Sequence, residues 1–140
     1  MGEGWGDFLA GAFFAATSSR GFQDECIADW DAVSYSDAKP PCLRRMDSKK
    51  RYPKDIEGEV HADGELWSAF LWKLRGYLGS NERDRTRNVL KLVLTSHEFL
   101  TPTAEFKDAI SALETAAKAL KKPTWVPLVE RAARFNNLPG

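Results

Sequence analysis

The sequence predicts a mainly α fold: a bundle-like helical single domain over residues 1–140, interrupted by one long irregular loop at about residues 18–60. Three observations predict it. Apolar residues recur at helical spacing near the start of the chain and in four segments after residue 62. Residues 18–60 lack any such period and hold Pro40, Pro41 and Pro53 among several Ser and Asp. The 140 residues, 43% hydrophobic and 29% charged, suit one domain with one core, and no internal repeat divides them.

The elements follow in order. Trp5, Phe8, Leu9, Ala12, Phe13 and Ala16 form one apolar stripe, so residues 5–17 read as a helix. Gly2, Gly4 and Gly6 weaken that helix intrinsically, which implies close packing against its start. Short helical or extended pieces fit around Cys26–Val33. The rest of 18–60 is an ordered connection, and a loop of that length is usually functional or stapled.

Residues 63–78 carry the clearest helical pattern, through Leu66, Trp67, Phe70, Leu71, Leu74, Tyr77 and Leu78. Asp63 is the candidate N-cap and Gly79 the candidate residue after the C-cap. Residues 82–99 repeat the pattern with Val89, Leu90, Val93 and Leu94. Residues 103–121 do so with Phe106, Ile110, Leu113, Ala117 and Leu120, with Thr101 or Thr103 as cap and Pro102 near the first turn. Residues 124–136 follow with Trp125, Leu128, Val129 and Ala132, capped by Thr124.

Composition excludes some functions. Twenty Lys and Arg balance twenty Asp and Glu, which disfavours a nucleic-acid-coating protein. No apolar run is long enough to span a bilayer. The apolar stretch at residues 8–17 follows Glu3 and Asp7 rather than a positive segment, so it does not read as a signal peptide. The charge is uneven: residues 1–70 carry 13 acids and 8 bases, and residues 71–140 carry 7 acids and 12 bases. Two cysteines, Cys26 and Cys42, cannot build a four-thiolate zinc site. They form a disulfide in an oxidising compartment and stay reduced in a cytosolic one.

Two features carry candidate chemistry. Glu3 and Asp7 stand four residues apart and share a helix face. Such a pair suits a cation or a histidine, and equally an acidic first turn that complements the helix dipole. His61 precedes the best helix within Gly58-Glu-Val-His-Ala-Asp-Gly-Glu65. From a loop-to-helix junction it can reach into a cleft and donate to a developing oxyanion, or rest on a nearby carboxylate at the surface.

Taken together, these segments resemble a known family. Gly2-Glu-Gly-Trp-Gly-Asp-Phe8 resembles the third-zinc-ligand segment of gluzincin metallopeptidases, above all the fungalysin branch, secreted relatives of thermolysin. Gly58-Glu-Val-His-Ala-Asp-Gly-Glu-Leu-Trp67, continuing to Leu71-Trp72, resembles the same family's catalytic-histidine segment. Thr103-Ala-Glu-Phe-Lys-Asp-Ala-Ile110 and Trp125-Val-Pro-Leu-Val-Glu-Arg-Ala132 extend the likeness through the tail.

The resemblance implies the C-terminal lobe of a secreted zinc metalloendopeptidase acting on peptide or protein substrates. In it Glu3 is the zinc-binding carboxylate, and Asp7 accepts a hydrogen bond from a ligand histidine. His61 stabilises the oxyanion, and Asp63 lies beside it as helix cap or substrate-backbone contact. A carboxylate orients this histidine in such enzymes, and Asp55, Glu57 and Glu59 are all near enough. Arg44 or Arg45 is a candidate for the substrate carbonyl, with at least one of them expected as a solvated surface residue.

One departure is decisive. The family's HExxH helix supplies two zinc ligands and the general base, and no HExxH occurs here. The nearest string, His97-Glu-Phe-Leu-Thr101, ends in Thr, and His97 reads as a polar residue near a helix end. The expected partner is therefore an N-terminal HExxH lobe, in cis or in trans, and the chain alone is expected to be inactive. The rivals are a non-catalytic helical interaction domain derived from such a lobe, and a cytosolic helical adaptor unrelated to peptidases.

Overall fold

The computed structural model describes residues 1–17 and 24–140, without the side chains of Ala16 and Thr17. The first part of the expected loop, residues 18–23, and the Ala16 end of the apolar stripe lie outside the described residues. The elements run α1 (Gly2–Thr17), β1 (Cys26–Ile27), α2 (Asp29–Ala32), β2 (Arg44–Arg45), α3 (Val60–Tyr77), α4 (Glu82–Ser96), α5 (Phe106–Ala119) and α6 (Val126–Phe135). Short 3-10 turns at His97–Phe99 and Pro123–Trp125 join the last helices. The mainly helical architecture is the one the periodicity predicts.

The core is one cluster. α3 is central, packed on α1, α4 and α6, while α5 bridges α4 and α6. Phe8, Trp67, Phe70, Leu71, Leu74, Leu92, Leu113 and Val129 are all fully buried, so every long helix contributes. Burying side chains of this size contributes about 1.5–3 kcal/mol each. Phe13, expected on the apolar stripe, is 59% exposed instead.

The helix starts differ from the predicted caps. α3 begins three residues earlier, with Glu59 rather than Asp63 as its N-cap. Glu59 has an extended backbone, and its carboxylate accepts from the N–H groups of His61 and Ala62. Asp63 lies one turn inside and reaches backwards, accepting from the N–H groups of Glu57 at 2.8 Å and Gly58 at 3.0 Å. Gly58 takes φ 80°, a left-handed turn that costs glycine little.

α5 is capped by Glu105, which exchanges hydrogen bonds with Asp108 in a capping box, not by Thr101 or Thr103. Thr124 caps nothing, because a 3-10 turn occupies its position and α6 starts at Val126. Asn81 caps α4, where it accepts from the Asp84 N–H.

The long connection is held rather than loose. Cys26 and Cys42 form a disulfide. β1 and β2 pair antiparallel, with Cys26 opposite Arg45 and Ile27 opposite Arg44. Met46, fully buried, follows β2 and lies against Gly11 of α1. Further on, Asn136 at the end of α6 donates to the Lys50 carbonyl at 2.8 Å and accepts from the Tyr52 N–H at 2.9 Å.

Candidate functional site

Of the three glycines at the start of α1, Gly4 serves the crossing of α1 over α3, whereas a Cβ on Gly2 or Gly6 would meet nothing within 4 Å. Gly4 and Gly64 meet there backbone to backbone, and a Cβ on Gly4 would run into the Gly64 carbonyl oxygen. Trp5 and Trp67 close the contact from inside, edge to face at 5.0 Å. Glu3 precedes Gly4 and His61 precedes Gly64, so the crossing carries both side chains to one place. His61 Nε2 lies 3.4 Å from the Glu3 carboxylate, and both side chains are about half exposed, at 48% and 50%.

Glu59 holds the other ring nitrogen, with Nδ1 at 2.9 Å from its Oε1. Of the three carboxylates near enough in sequence, this is the one against His61. Asp55 instead accepts from the Arg51 N–H at 2.8 Å, and Glu57 pairs with Lys50 at 3.3 Å. The Ala62 N–H and then the His61 ring hold the Glu59 carboxyl down at about 2. With a carboxylate at each nitrogen, both can donate only when the ring is an imidazolium.

Asp7 lies one turn along α1 and is buried, at 7% exposed. Arg44 grips it with two bonds, Nε at 2.5 Å and a terminal nitrogen at 2.7 Å. Such a fork is the strong form of ion pair, and the bond to Asp7 holds the Arg44 guanidinium above its usual value. The disulfide and the β1–β2 pairing place Arg44 there. Arg45, across the strand, chelates Asp47 at the surface, as expected for one of the two arginines.

Three polar contacts of Glu65 and Lys50 have no counterpart in the sequence. Glu65 of α3 accepts from the Arg45 N–H at 2.7 Å and pairs with Lys50 at 3.1 Å. Lys50 also donates to the Ala62 carbonyl at 3.0 Å. Burial opposes the Lys50 charge, but Glu65 and Glu57 prevail and raise its pKa. The only sequence hint is the basic run at 49–51 opposite an acidic helix start. His97 lies at the end of α4 as expected, with its ring edge-on to Trp5 at 4.5 Å.

Glu3, His61 and Glu59 thus come together, while Asp7 and Arg44 form a separate, deeper pair. Among the described residues no group of three or more His, Cys, Asp and Glu is placed to hold a metal ion. The donors here fit one position of a three-ligand zinc site and do not complete it. A cavity of about 550 Å³ opens beside Trp5, Tyr52 and Phe106, and neither Glu3 nor His61 lines it. No helix among the described residues is long and apolar enough to cross a membrane.

No family model and no solved structure matches the chain. Curated relatives do. Extracellular metalloproteinase 2 of Trichophyton tonsurans is 28% identical over 138 residues, which is 86% of this chain and 22% of that protein. Probable extracellular metalloproteinase 2 of Arthroderma benhamiae and of Trichophyton verrucosum are each 26% identical over 139 residues, with the same coverage. The chain therefore spans about a fifth of the length of the relatives it matches. Over most of its own length it is similar to fungal extracellular metalloproteinases.

Proposed function

We propose that this chain is the C-terminal lobe of a secreted, fungalysin-like zinc metalloendopeptidase, one wall of whose cleft is built on α1 and α3. The observation that carries the reading is the approach of Glu3 and His61 to 3.4 Å although 58 positions separate them. The similarity to extracellular metalloproteinases supports it, and the Cys26–Cys42 disulfide supports an oxidising compartment.

In such an enzyme zinc supplies Lewis acidity and an activated water. The work of this chain is narrower. Glu3 offers one carboxylate at an exposed helix start. His61, with Nδ1 on Glu59, presents Nε2–H to negative charge developing on the scissile carbonyl oxygen. Arg44 neutralises Asp7 and holds it in place one turn below Glu3. The two zinc-binding histidines and the general base belong to an HExxH lobe, and the substrate is a peptide or protein.

A second reading, a non-catalytic helical interaction domain derived from such a lobe, is favoured by one observation. Among the described residues the donors stop short of a metal site.

The chain alone, given zinc and an unfolded protein substrate, is expected not to cleave it. Zinc-dependent cleavage that survives purification and disappears in Glu3→Gln overturns this. In a protein that joins the chain to an HExxH lobe, His61→Ala is expected to lower kcat by about 10²–10³ with KM little changed. An unchanged kcat rejects the role given to His61.

A further inference from the structure

A second cavity, of about 390 Å³, lies at the far end of α3 against the end of α6. Its α3 lining runs from Ala69 to Tyr77, about 12 to 24 Å along the axis from His61, so it lies apart from the Glu3–His61 cluster. Trp72, Tyr77 and Phe135 give it aromatic walls, and Lys73, Gly76 and Asp47 also line it.

Its charges are unevenly satisfied. The Lys73 ammonium stands over the Phe135 ring at 4.5 Å and 5.9 Å from the Tyr77 centroid. Among the described residues it has no carboxylate partner. Arg131 stacks on the same Tyr77 ring at 4.6 Å, again with no carboxylate partner among the described residues. Asp47, the one acid lining the cavity, is already committed to Arg45 through bonds of 2.7 and 2.9 Å. The site thus keeps a positive charge against apolar walls.

Gly76 adds an independent argument. Glycine in a helix costs about 1 kcal/mol against alanine, and a Cβ at Gly76 would meet nothing within 4 Å. Neither close packing nor a left-handed backbone requires glycine there. Its evident consequence is an open cavity floor beside Lys73.

We propose that this cavity binds a carboxylate carried on an apolar body, with the carboxylate on Lys73 and the body between Trp72, Tyr77 and Phe135. A neutral apolar ligand leaves the ammonium unmatched, and a multiply charged anion meets Asp47. A pocket of this volume is within the range of small-ligand sites. The inference stands apart from the peptidase reading, because it uses none of the same residues.

The test is an NMR titration of the chain with three probes: N-acetyl-Ala-Ala-Phe as the free acid, the same peptide as its C-terminal amide, and 3-phenylpropionate. Saturable shifts at the ends of α3 and α6 are expected for the free acid, with the amide about tenfold weaker. Lys73→Met is expected to weaken the acid about tenfold and Lys73→Arg less than about threefold. Gly76→Leu fills the cavity and is expected to abolish binding with the thermal midpoint unchanged or raised. A peptide tighter than 3-phenylpropionate identifies a peptide C-terminus as the ligand, and equal affinity identifies a free aryl carboxylate. Equal binding of acid and amide, undiminished binding in Lys73→Met or Gly76→Leu, or no saturation by about 10 mM overturns the proposal.

Discussion

The α1–α3 crossing and the α4–α5–α6 scaffold are built on opposite principles. The scaffold rests on local patterns: a capping box, an Asn cap, and apolar faces that meet over short connections. The crossing is buried as well, through Phe8 and Trp67, but the placing of its polar groups rests on contacts between distant residues. Gly4 meets Gly64, Arg44 grips Asp7 across 37 positions, and His61 meets Glu3 across 58. The scaffold can lose a polar contact and keep its shape, because burial supplies its stability. At the crossing one side chain in the wrong place separates the groups that carry the chemistry.

Three measurements sharpen or break this contrast. The largest effect belongs to the scaffold. Leu113→Ala removes a fully buried side chain and is expected to cost about 2–5 kcal/mol in urea unfolding. A loss under about 1 kcal/mol means that the core does not close around α5.

Gly4→Val is next, at about 1–3 kcal/mol, because a branched side chain cannot share the crossing with the Gly64 carbonyl. The more telling readout is the His61 ring, whose NMR shifts are expected to lose their dependence on Glu3. If Glu3→Gln perturbs His61 equally with and without Gly4→Val, the crossing does not set that contact.

The smallest effect is on pH dependence. The Glu59 carboxyl is held at about 2 against an ordinary 4.5. Its folded pKa is depressed, so its contribution is fully present above about 4.5 and is lost as pH falls towards 2. The thermal midpoint difference between the wild-type chain and Glu59→Gln is therefore expected to shrink across that window. A constant difference from pH 6 to pH 2 rules out Glu59 as the charged cap of α3.

Much of the architecture was legible in the sequence and much of the site was not. The five long helices follow from apolar spacing, which reports on one chain segment at a time. Caps were harder. Glu59 and Asp63 both lie within reach of the free N–H groups of α3, as do Thr103 and Glu105 near those of α5. Only the path of the entering chain selects between them. The three glycines at the start of α1 announced a close approach, but only Gly4 makes it, and its partner Gly64 lies on another helix. The partners of Asp7 and Arg44 left no local trace at all, and those of Lys50 only the basic run at 49–51.

The sequence by itself determined the helices, the buried faces, the long connection and the residue types available for chemistry. Those depend on periodicity, propensity and turn residues, which act within a few positions. Only the tertiary structure decided that Cys26 and Cys42 pair, that Glu59 rather than Asp55 or Glu57 meets His61, and that Asp7 belongs to Arg44. Each of the last two choices is a competition among several chemically equivalent groups. Distance settles it, and distance is set by how the helices cross.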